Sequence, residues 1–138
     1  MPTPTSTKMG IKPGIRTTFV NAPADAIQAM DLPELEVKES LKGEFDYMHL
    51  FVKNQADFHE KFPVLKNHLK KTGMLWVSWP KARQLGTDLT LPIVIKIGYD
   101  YGLVESKCLS INATWSALKF TYPEEGKTYA NSYGKLKN

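Results

Sequence analysis

Residues 45–52 read FDYMHLFV, a nearly continuous apolar run with the length of one β-strand. A strand that helices cover on both faces has this composition, whereas a strand with one face in water alternates apolar and polar residues. Residues 74–79 read MLWVSW, show the same pattern and end at Pro80. Two buried strands with a helical segment between them predict a parallel β-α-β unit with a right-handed crossover.

The segment between these two strands has a helical period. Its apolar side chains recur at steps of four, three and four residues: Phe58, Phe62, Leu65 and Leu69. Asn54 is suited to the N-cap of this helix. Lys70 and Lys71 then fall in the last turn, and Gly73 ends the helix. Pro63 predicts a kink or a division into two short helices, because an interior proline removes a backbone hydrogen bond.

The chain before residue 45 contains three shorter elements. Residues 16–20 are β-branched and aromatic, which predicts a strand. A helix follows, with Pro23 in its first turn and Asp25 near its positive end. Residues 35–37 belong to an alternating apolar and charged stretch, which predicts a short exposed strand.

Residues 87–101 fit two patterns. Alternating apolar residues over 89–97 favour a strand. A helical stripe is also present: Ile93, Val94, Ile97 and Tyr101. We prefer the helix, because parallel strands need a crossover of about a dozen residues. Residues 103–111 and 117–122 then form two strands, the last of which returns antiparallel.

The predicted order is β-α-β-β-α-β-α-β-β, in a single α/β domain over residues 14–123. Residues 1–13 are polar and contain three prolines, which predicts a flexible N-terminal arm. Residues 124–138 form a C-terminal extension. Tyr129 and Tyr133 are four residues apart, so a short docked helix in that extension is the alternative.

The composition is that of a globular protein and excludes several classes. The chain has 138 residues, of which 42% are hydrophobic and 23% charged, values that argue against disorder. It has no apolar run of about 18 residues, which argues against a membrane span. Its start has no apolar stretch of the kind found in secretory signals. Cys108 is the only cysteine, so an internal disulfide is excluded and a cytoplasmic location is predicted.

The net charge of +4 belongs to the second half of the chain. Residues 1–69 hold 8 basic and 9 acidic side chains, whereas residues 70–138 hold 10 and 5. Nucleic-acid binding is not favoured, because the lysines are dispersed and only two arginines are present. Most of the surplus is interpreted as a contribution to solubility.

Two features of the predicted β-α-β unit over residues 45–79 resemble the C-terminal half of Rossmann-like methyltransferases that use S-adenosylmethionine. The first buried strand carries an aspartate, Asp46, and residues 69–75 read LKKTGML, similar to the junction before the next strand in that superfamily. The resemblance implies a three-layer αβα sandwich with a mostly parallel Rossmann-like sheet and an antiparallel last strand. The glycine-rich cofactor loop is replaced here by residues 21–25, NAPAD. Because those glycines let the backbone approach the cofactor, we predict that this chain binds no cofactor.

Several short motifs between Met9 and Phe120 also resemble a small bacterial family, domain-of-unknown-function family 3052. They are Lys12-Pro13-Gly14, Trp79-Pro80-Lys81, Thr87-Asp88-Leu89, Gly102-Leu103-Val104 with Lys107, and Trp115-Ser116-Ala117-Leu118-Lys119. The resemblance implies a bacterial origin and supports the α/β fold. It implies no activity.

Ligands of open parallel sheets bind beyond the carboxyl ends of the strands. That rule selects residues 21–25, Lys53 with Asn54, and residues 78–81, with Asp88 nearby if it opens the next helix. Helix N-terminal amides and the two lysines, Lys53 and Lys81, would favour an anion. The alternative is that these residues are solvated loop ends and that Asp88 serves only a helix terminus.

Trp79 and Trp115 are candidates for an aromatic platform on which a ligand ring could stack, with core packing as the alternative. The full set of candidate ligand-binding residues is Asn21, Lys53, Asn54, Trp79, Lys81, Asp88 and Trp115. We predict no catalytic residue and no metal ligand. Cys108 is expected to be a buried small hydrophobe and His49 a hydrogen-bonded core residue.

These predictions favour a non-catalytic module that binds a small anionic ligand or a protein partner. The alternative is a divergent methyltransferase-like enzyme that acts at the same strand-exit crevice. A regulatory or assembly subunit that docks through its terminal arms is a third possibility.

Overall fold

A computed structural model describes residues 3–129 and 133–136. The elements, in chain order, are α1 (Thr5–Met9), β1 (Arg16–Val20), α2 (Ala24–Met30), β2 (Glu36–Val37), β3 (Phe45–Phe51), α3 (Gln55–Lys66), β4 (Leu69–Pro80), α4 (Leu91–Asp100), β5 (Val104–Ser110) and β6 (Trp115–Thr121). A short turn segment, Lys81–Gly86, connects β4 with the approach to α4.

The six strands form one sheet in the order β2-β1-β3-β4-β6-β5. The pairs β1–β2, β1–β3 and β3–β4 are parallel. The last strand, β6, inserts between β4 and β5 and is antiparallel to both. The mostly parallel sheet with an antiparallel last strand is therefore confirmed, as is the helix within residues 87–101, which runs from Leu91 to Asp100.

Helices cover both faces of this sheet, which confirms the three-layer sandwich. One face packs against α1 and α2, and its buried residues include Tyr47, Trp76 and Trp115. The other face packs against α3 and α4 and buries Leu50 and Val77. Successive residues of a strand point to opposite faces, so Trp76 and Val77 separate into different layers.

The predicted C-terminal end of the helix that follows residues 45–52 is wrong. Helix α3 stops at Lys66, and Leu69, Lys70 and Gly73 belong to β4. Leu69 instead pairs with Phe45 of β3 in the parallel sheet, and the carboxylate of Asp46 binds Lys70 at 3.0 Å beside this pair. A Cβ on Gly73 would lie 2.8 Å from the carbonyl oxygen of Phe45, so this glycine allows β3 to pass closely.

Pro63 lies inside a single helix rather than between two. Proline has no N–H to donate to the carbonyl four residues earlier, which is that of His59. The Tyr101 hydroxyl lies 3.4 Å from this carbonyl oxygen and donates to it. A partner from outside the helix thus occupies the acceptor that Pro63 leaves, which lowers the cost of a proline inside α3.

The predicted flexible arm is also different in the structure. Residues Thr5–Met9 form a helix, and the side chains of Met9 and Ile11 are buried in the cluster below α2. The Ser6 hydroxyl donates to the Asp31 carbonyl at 2.7 Å. These apolar residues dock the segment because they cover Met30, a hydrophobic contact that a solvated arm would not make.

Three other predictions concern the burial of Cys108, a docked helix in the C-terminal extension and membrane-spanning segments. Cys108 is exposed on β5, the edge strand, so its predicted burial is wrong. The docked helix suggested by Tyr129 and Tyr133 would include residues 130–132, which lie outside the described residues. Within the described part of the chain, no helix is long and apolar enough to cross a membrane.

Candidate functional site

An open crevice of about 780 Å³ lies at the carboxyl ends of β1 and β3. Strand β1 pairs with β2 on one side and β3 on the other, so the chain changes direction across the sheet at this point. The loop after β1 leads to α2 on one face, and the loop after β3 leads to α3 on the other. Such a switch point is where open α/β sheets take their ligands.

The crevice is lined by two loops, the start of α3 and a rim from the far side of the sheet. Its lining residues are Asn21, Ala22, Pro23, Asp25, Phe51, Lys53, Asp57, Leu85, Thr114 and Trp115. Three of the seven predicted ligand-binding residues are therefore brought together here, namely Asn21, Lys53 and Trp115.

Asn21 occupies the first position after β1 and has a φ of 59°. This left-handed conformation is the one that favours glycine, and asparagine is among the few other residues that adopt it. The chain therefore makes the tight turn into α2 without the glycine whose absence we noted in the sequence. Residues held in this conformation cluster at functional sites.

The charged side chains of the crevice are Asp25, Lys53 and Asp57. They sum to −1, so the lining does not favour the anion that the sequence predicts. The two aspartates lie in the first turns of α2 and α3. Each carboxylate is stabilised there by the positive end of its helix.

The floor of the crevice is aromatic. Phe51 and Trp115 meet edge to face, with ring centroids 5.2 Å apart and an interplanar angle of 77°. Their exposed fractions are only 2% and 4%. They therefore present small apolar edges to a ligand rather than the open stacking platform expected for Trp115.

A closed polar network lies directly under this floor. His49 is completely buried, with Nδ1 2.6 Å from the Tyr47 hydroxyl and Nε2 2.7 Å from the Ser78 hydroxyl. Burial lowers the pKa of His49 to about 3, so the imidazole is neutral at neutral pH. The prediction of a hydrogen-bonded core histidine is confirmed.

Asn54 and Asp88 serve the start of α3 and do not line the crevice. Asn54 is the N-cap, and its Oδ1 accepts from the Asp57 N–H at 2.8 Å. Asp88 Oδ1 accepts from the Gln55 N–H at 2.9 Å. The alternative interpretation of Asp88, that it serves a helix terminus, is thus the one that the structure supports. These two acceptors occupy N–H groups that an anion would need.

Trp79 and Lys81 lie away from the crevice as well. Trp79 is 4% exposed and packs in the layer of α3 and α4, on the opposite face from Trp115. The ammonium of Lys81 donates to the Ser110 hydroxyl on β5. The predicted anion-binding site that combined Lys53 with Lys81 is therefore not formed.

The rim contributes a residue that the sequence analysis missed. Leu85 lines the crevice and is 57% exposed, which is unusual for a leucine. Its segment contains three non-glycine residues with positive φ, namely Ala82 (48°), Arg83 (59°) and Leu85 (55°). No sequence signal marks them, because none is a residue that favours the left-handed region.

The crevice lining contains no histidine, cysteine or serine. Its hydroxyl is that of Thr114, and its titratable groups are Asp25, Lys53 and Asp57. Over residues 3–129 and 133–136, no group of three or more histidine, cysteine, aspartate or glutamate side chains is arranged to hold a metal ion.

No protein-family model matches this chain, and no curated protein matches it. The resemblance to family 3052 therefore gains no support and stays a prediction.

Solved methyltransferase structures do match. Ribosomal protein L11 methylase from Lactobacillus delbrueckii subsp. bulgaricus is 11% identical with a TM-score of 0.58, over 86% of this chain and 74% of that one. Magnesium protoporphyrin IX methyltransferase (ChlM) from Synechocystis PCC 6803, solved with bound SAH, is 12% identical with a TM-score of 0.54, over 86% and 78%. At these identities the likeness concerns the fold alone, and the chain has a methyltransferase-like Rossmann fold.

Proposed function

We propose that this protein is a non-catalytic module that binds a small molecule in the crevice between β1 and β3. The observation that carries the proposal is the position of the crevice, at the switch point of a mostly parallel sheet and at the carboxyl ends of two strands. Its volume of about 780 Å³ is within the range of small-molecule sites.

The lining charges define the class of ligand. The charged groups of the lining are two carboxylates, Asp25 and Asp57, and one ammonium, Lys53, so a ligand with a positive or zwitterionic group is favoured over an anion. Phe51, Trp115 and Leu85 supply an apolar floor and rim. A flat ring that carries a positive substituent matches both properties.

The absence of a nucleophile–base pair among the lining residues supports binding rather than catalysis. The one histidine near the crevice, His49, lies under the floor and has both ring nitrogens engaged. A general base must reach its proton within hydrogen-bond distance, and His49 is fully buried.

Three probes that differ only at one position test the proposal. They are 5′-amino-5′-deoxyadenosine, adenosine and adenosine 5′-monophosphate, which carry positive, neutral and negative substituents on the same ring and sugar. Each is titrated into ¹⁵N-labelled protein while the backbone amide signals are followed by NMR.

We expect saturable shifts at residues 21–25 and 53–57, with affinity falling in the order positive, neutral, negative. If no probe shifts these signals, or if the monophosphate binds most tightly at these residues, the proposal is wrong.

A methyltransferase-like enzyme is the second candidate. The fold likeness favours it, as does the left-handed Asn21, which makes the loop after β1 tighter than its sequence suggests. S-adenosylmethionine also joins a flat ring to a positive sulfonium group, so its chemistry suits the lining.

Calorimetric titration with S-adenosylmethionine separates the two candidates when it is followed by transfer of a labelled methyl group to components of a cell extract. No binding, which the sequence predicts, or binding without transfer above a protein-free blank excludes the enzyme and is the result expected of a non-catalytic module. Transfer that is lost in Asp57→Asn supports the enzyme and overturns the non-catalytic proposal.

A further inference from the structure

A second cleft lies at the opposite end of the sheet from the crevice. Its volume is about 280 Å³, and it opens where β1 and β3 begin, within β4, and where β6 ends. Its lining residues are Gly10, Lys12, Ile15, Asp46, Thr72, Gly73, Met74, Lys119 and Thr121. Unlike the crevice, it contains lysines from two separate parts of the chain.

Two lysines face each other across the strands beside this cleft. Lys107 on β5 and Lys119 on β6 are directly opposite in the antiparallel register. Side chains at such positions share one face of the sheet, and like charges placed there destabilise the pair. Both extend toward the end of α1, because Lys107 Nζ donates to the Lys8 carbonyl at 2.6 Å and Lys119 Nζ lies 3.8 Å from the position of a Cβ on Gly10.

The ammonium of Lys119 forms no ion pair with a carboxylate of the described residues. The ion pairs among residues 3–129 and 133–136 involve other cations, Arg16, Lys70 and Lys96. Lys119 is only partly exposed, and the hydrogen bonds that ammonium groups donate near the cleft come from Lys70 and Lys107. A partly buried cation beside a second cation is an arrangement that an anion would stabilise.

The one carboxylate in the lining is already occupied. Asp46 Oδ1 accepts from Lys70 Nζ and Oδ2 from the Arg16 N–H, each at 3.0 Å. Burial acts to raise the pKa of Asp46, but these hydrogen bonds outweigh it and hold the pKa below its ordinary value. Asp46 therefore leaves Lys12 and Lys119 available to another anion.

We propose that this cleft binds the phosphate group of a small ligand, either free phosphate or a phosphomonoester. Lys119 and Lys12 supply the positive charge, and Lys107 raises the local potential. Thr72 and Thr121 in the same lining carry hydroxyl groups that can donate to phosphate oxygens. The volume of about 280 Å³ suits a phosphate with a short organic group.

The test is an NMR titration of the full chain at low salt with three probes: inorganic phosphate, glycerol 3-phosphate and a ten-residue oligothymidylate. Saturable shifts at residues 10–12, 72–74 and 119–121 with either small probe support the proposal. Tighter binding of glycerol 3-phosphate than of phosphate identifies a phosphomonoester as the ligand class. No saturable shift, or binding of the oligonucleotide alone, overturns it.

Matched variants decide whether the cleft itself is responsible. Lys119→Gln should weaken binding of the better small probe by on the order of tenfold, because charge-assisted hydrogen bonds are the strong ones. Lys38→Gln removes the same charge from an exposed site that follows β2, at the opposite edge of the sheet from β5 and β6, and should change the affinity less than twofold. Equal weakening by both variants would show a general charge effect and overturn the proposal.

Lys12→Gln provides a second variant at an exposed position, where the fold does not depend on the side chain. Its binding of the better small probe should weaken about threefold, and unchanged binding would contradict the proposal. The result is independent of the crevice between β1 and β3, because the two sets of amide signals lie at opposite ends of the sheet.

Discussion

The ring of Phe51 lies against the imidazole of His49, with centroids 4.4 Å apart and an interplanar angle of 19°. Phe51 is part of the crevice floor, and His49 is part of the buried network below it. The shape of the crevice thus depends on a neutral histidine that is held on both nitrogens. Substitutions in that network should lower the stability of the fold. Through the position of Phe51, they should also change ligand affinity in the crevice.

Stability should fall below pH 6.5 because of His49. Its pKa is about 3 in the folded protein and about 6.5 in the unfolded chain, so the unfolded chain binds the proton more readily at intermediate pH. The free energy of unfolding should decrease by about 1.4 kcal/mol per pH unit between pH 6 and pH 4. Urea unfolding at several pH values measures this slope.

His49→Gln should remove most of that dependence, whereas His68→Gln, which changes a more exposed histidine, should keep it. If the free energy of unfolding of His49→Gln has the same slope against pH as that of the parent protein, the loss of stability at low pH does not come from His49.

Ser78→Ala should destabilise the protein by about 1–3 kcal/mol, because Nε2 of His49 would lose its partner 2.7 Å away in a site without water access. Chemical denaturation provides the measurement. Ser106→Ala changes an exposed serine on β5 and should stay within about 0.5 kcal/mol of the parent. A Ser78→Ala protein as stable as Ser106→Ala would show that the hydrogen bond contributes nothing.

Gly98→Ala should be strongly destabilising, by about 3 kcal/mol or more, because a Cβ there would overlap the ring of Phe120. Thermal and denaturant unfolding test this. The double variant with Phe120→Leu should recover part of the loss, since the smaller side chain vacates the space. If the losses of stability of the two single variants simply add in the double variant, overlap with the ring of Phe120 is not the cause.

Ala82→Gly should stabilise the protein by about 0.5–1 kcal/mol. Ala82 has a φ of 48°, a conformation that is costly for alanine and free for glycine. The gain is partly offset by the greater entropy of glycine in the unfolded chain. Ala113→Gly in a neighbouring exposed loop, where φ is not positive, is the control and should be neutral or destabilising. If Ala82→Gly lowers the free energy of unfolding, the backbone at Ala82 is not strained in the folded protein.

The layers of the fold could be predicted because β3 and β4 carry long apolar runs and the helices carry clear periods. The C-terminal end of α3 could not be predicted, because Leu69 fits a helical stripe and a strand equally well. Its strand position depends on a bulged pairing with β3 in which Phe45 meets Leu69 and Tyr47 meets Met74. Such a register is set by contacts between distant residues rather than by local pattern.

The site was predictable in part for the same reason. Asn21 and Lys53 follow buried strands, so topology alone places them at the crevice. Trp79 and Trp115 are on strands whose relative register the sequence does not reveal, and the pleat sends them to opposite faces. Leu85 reaches the rim through a turn with positive φ angles, and the residue types in this turn do not predict that conformation.

Binding in the crevice is tested most directly by the dissociation constant of the tightest-binding adenosine probe for two variants of α3. Asp57→Asn removes a carboxylate from the crevice, whereas Glu60→Gln removes one from an exposed position one turn along the same helix. We predict about fivefold weaker binding of the positively charged probe by Asp57→Asn, the effect of one ion pair of about 1 kcal/mol, and no change by Glu60→Gln. Equal affinities of the two variants would contradict binding in the crevice between β1 and β3.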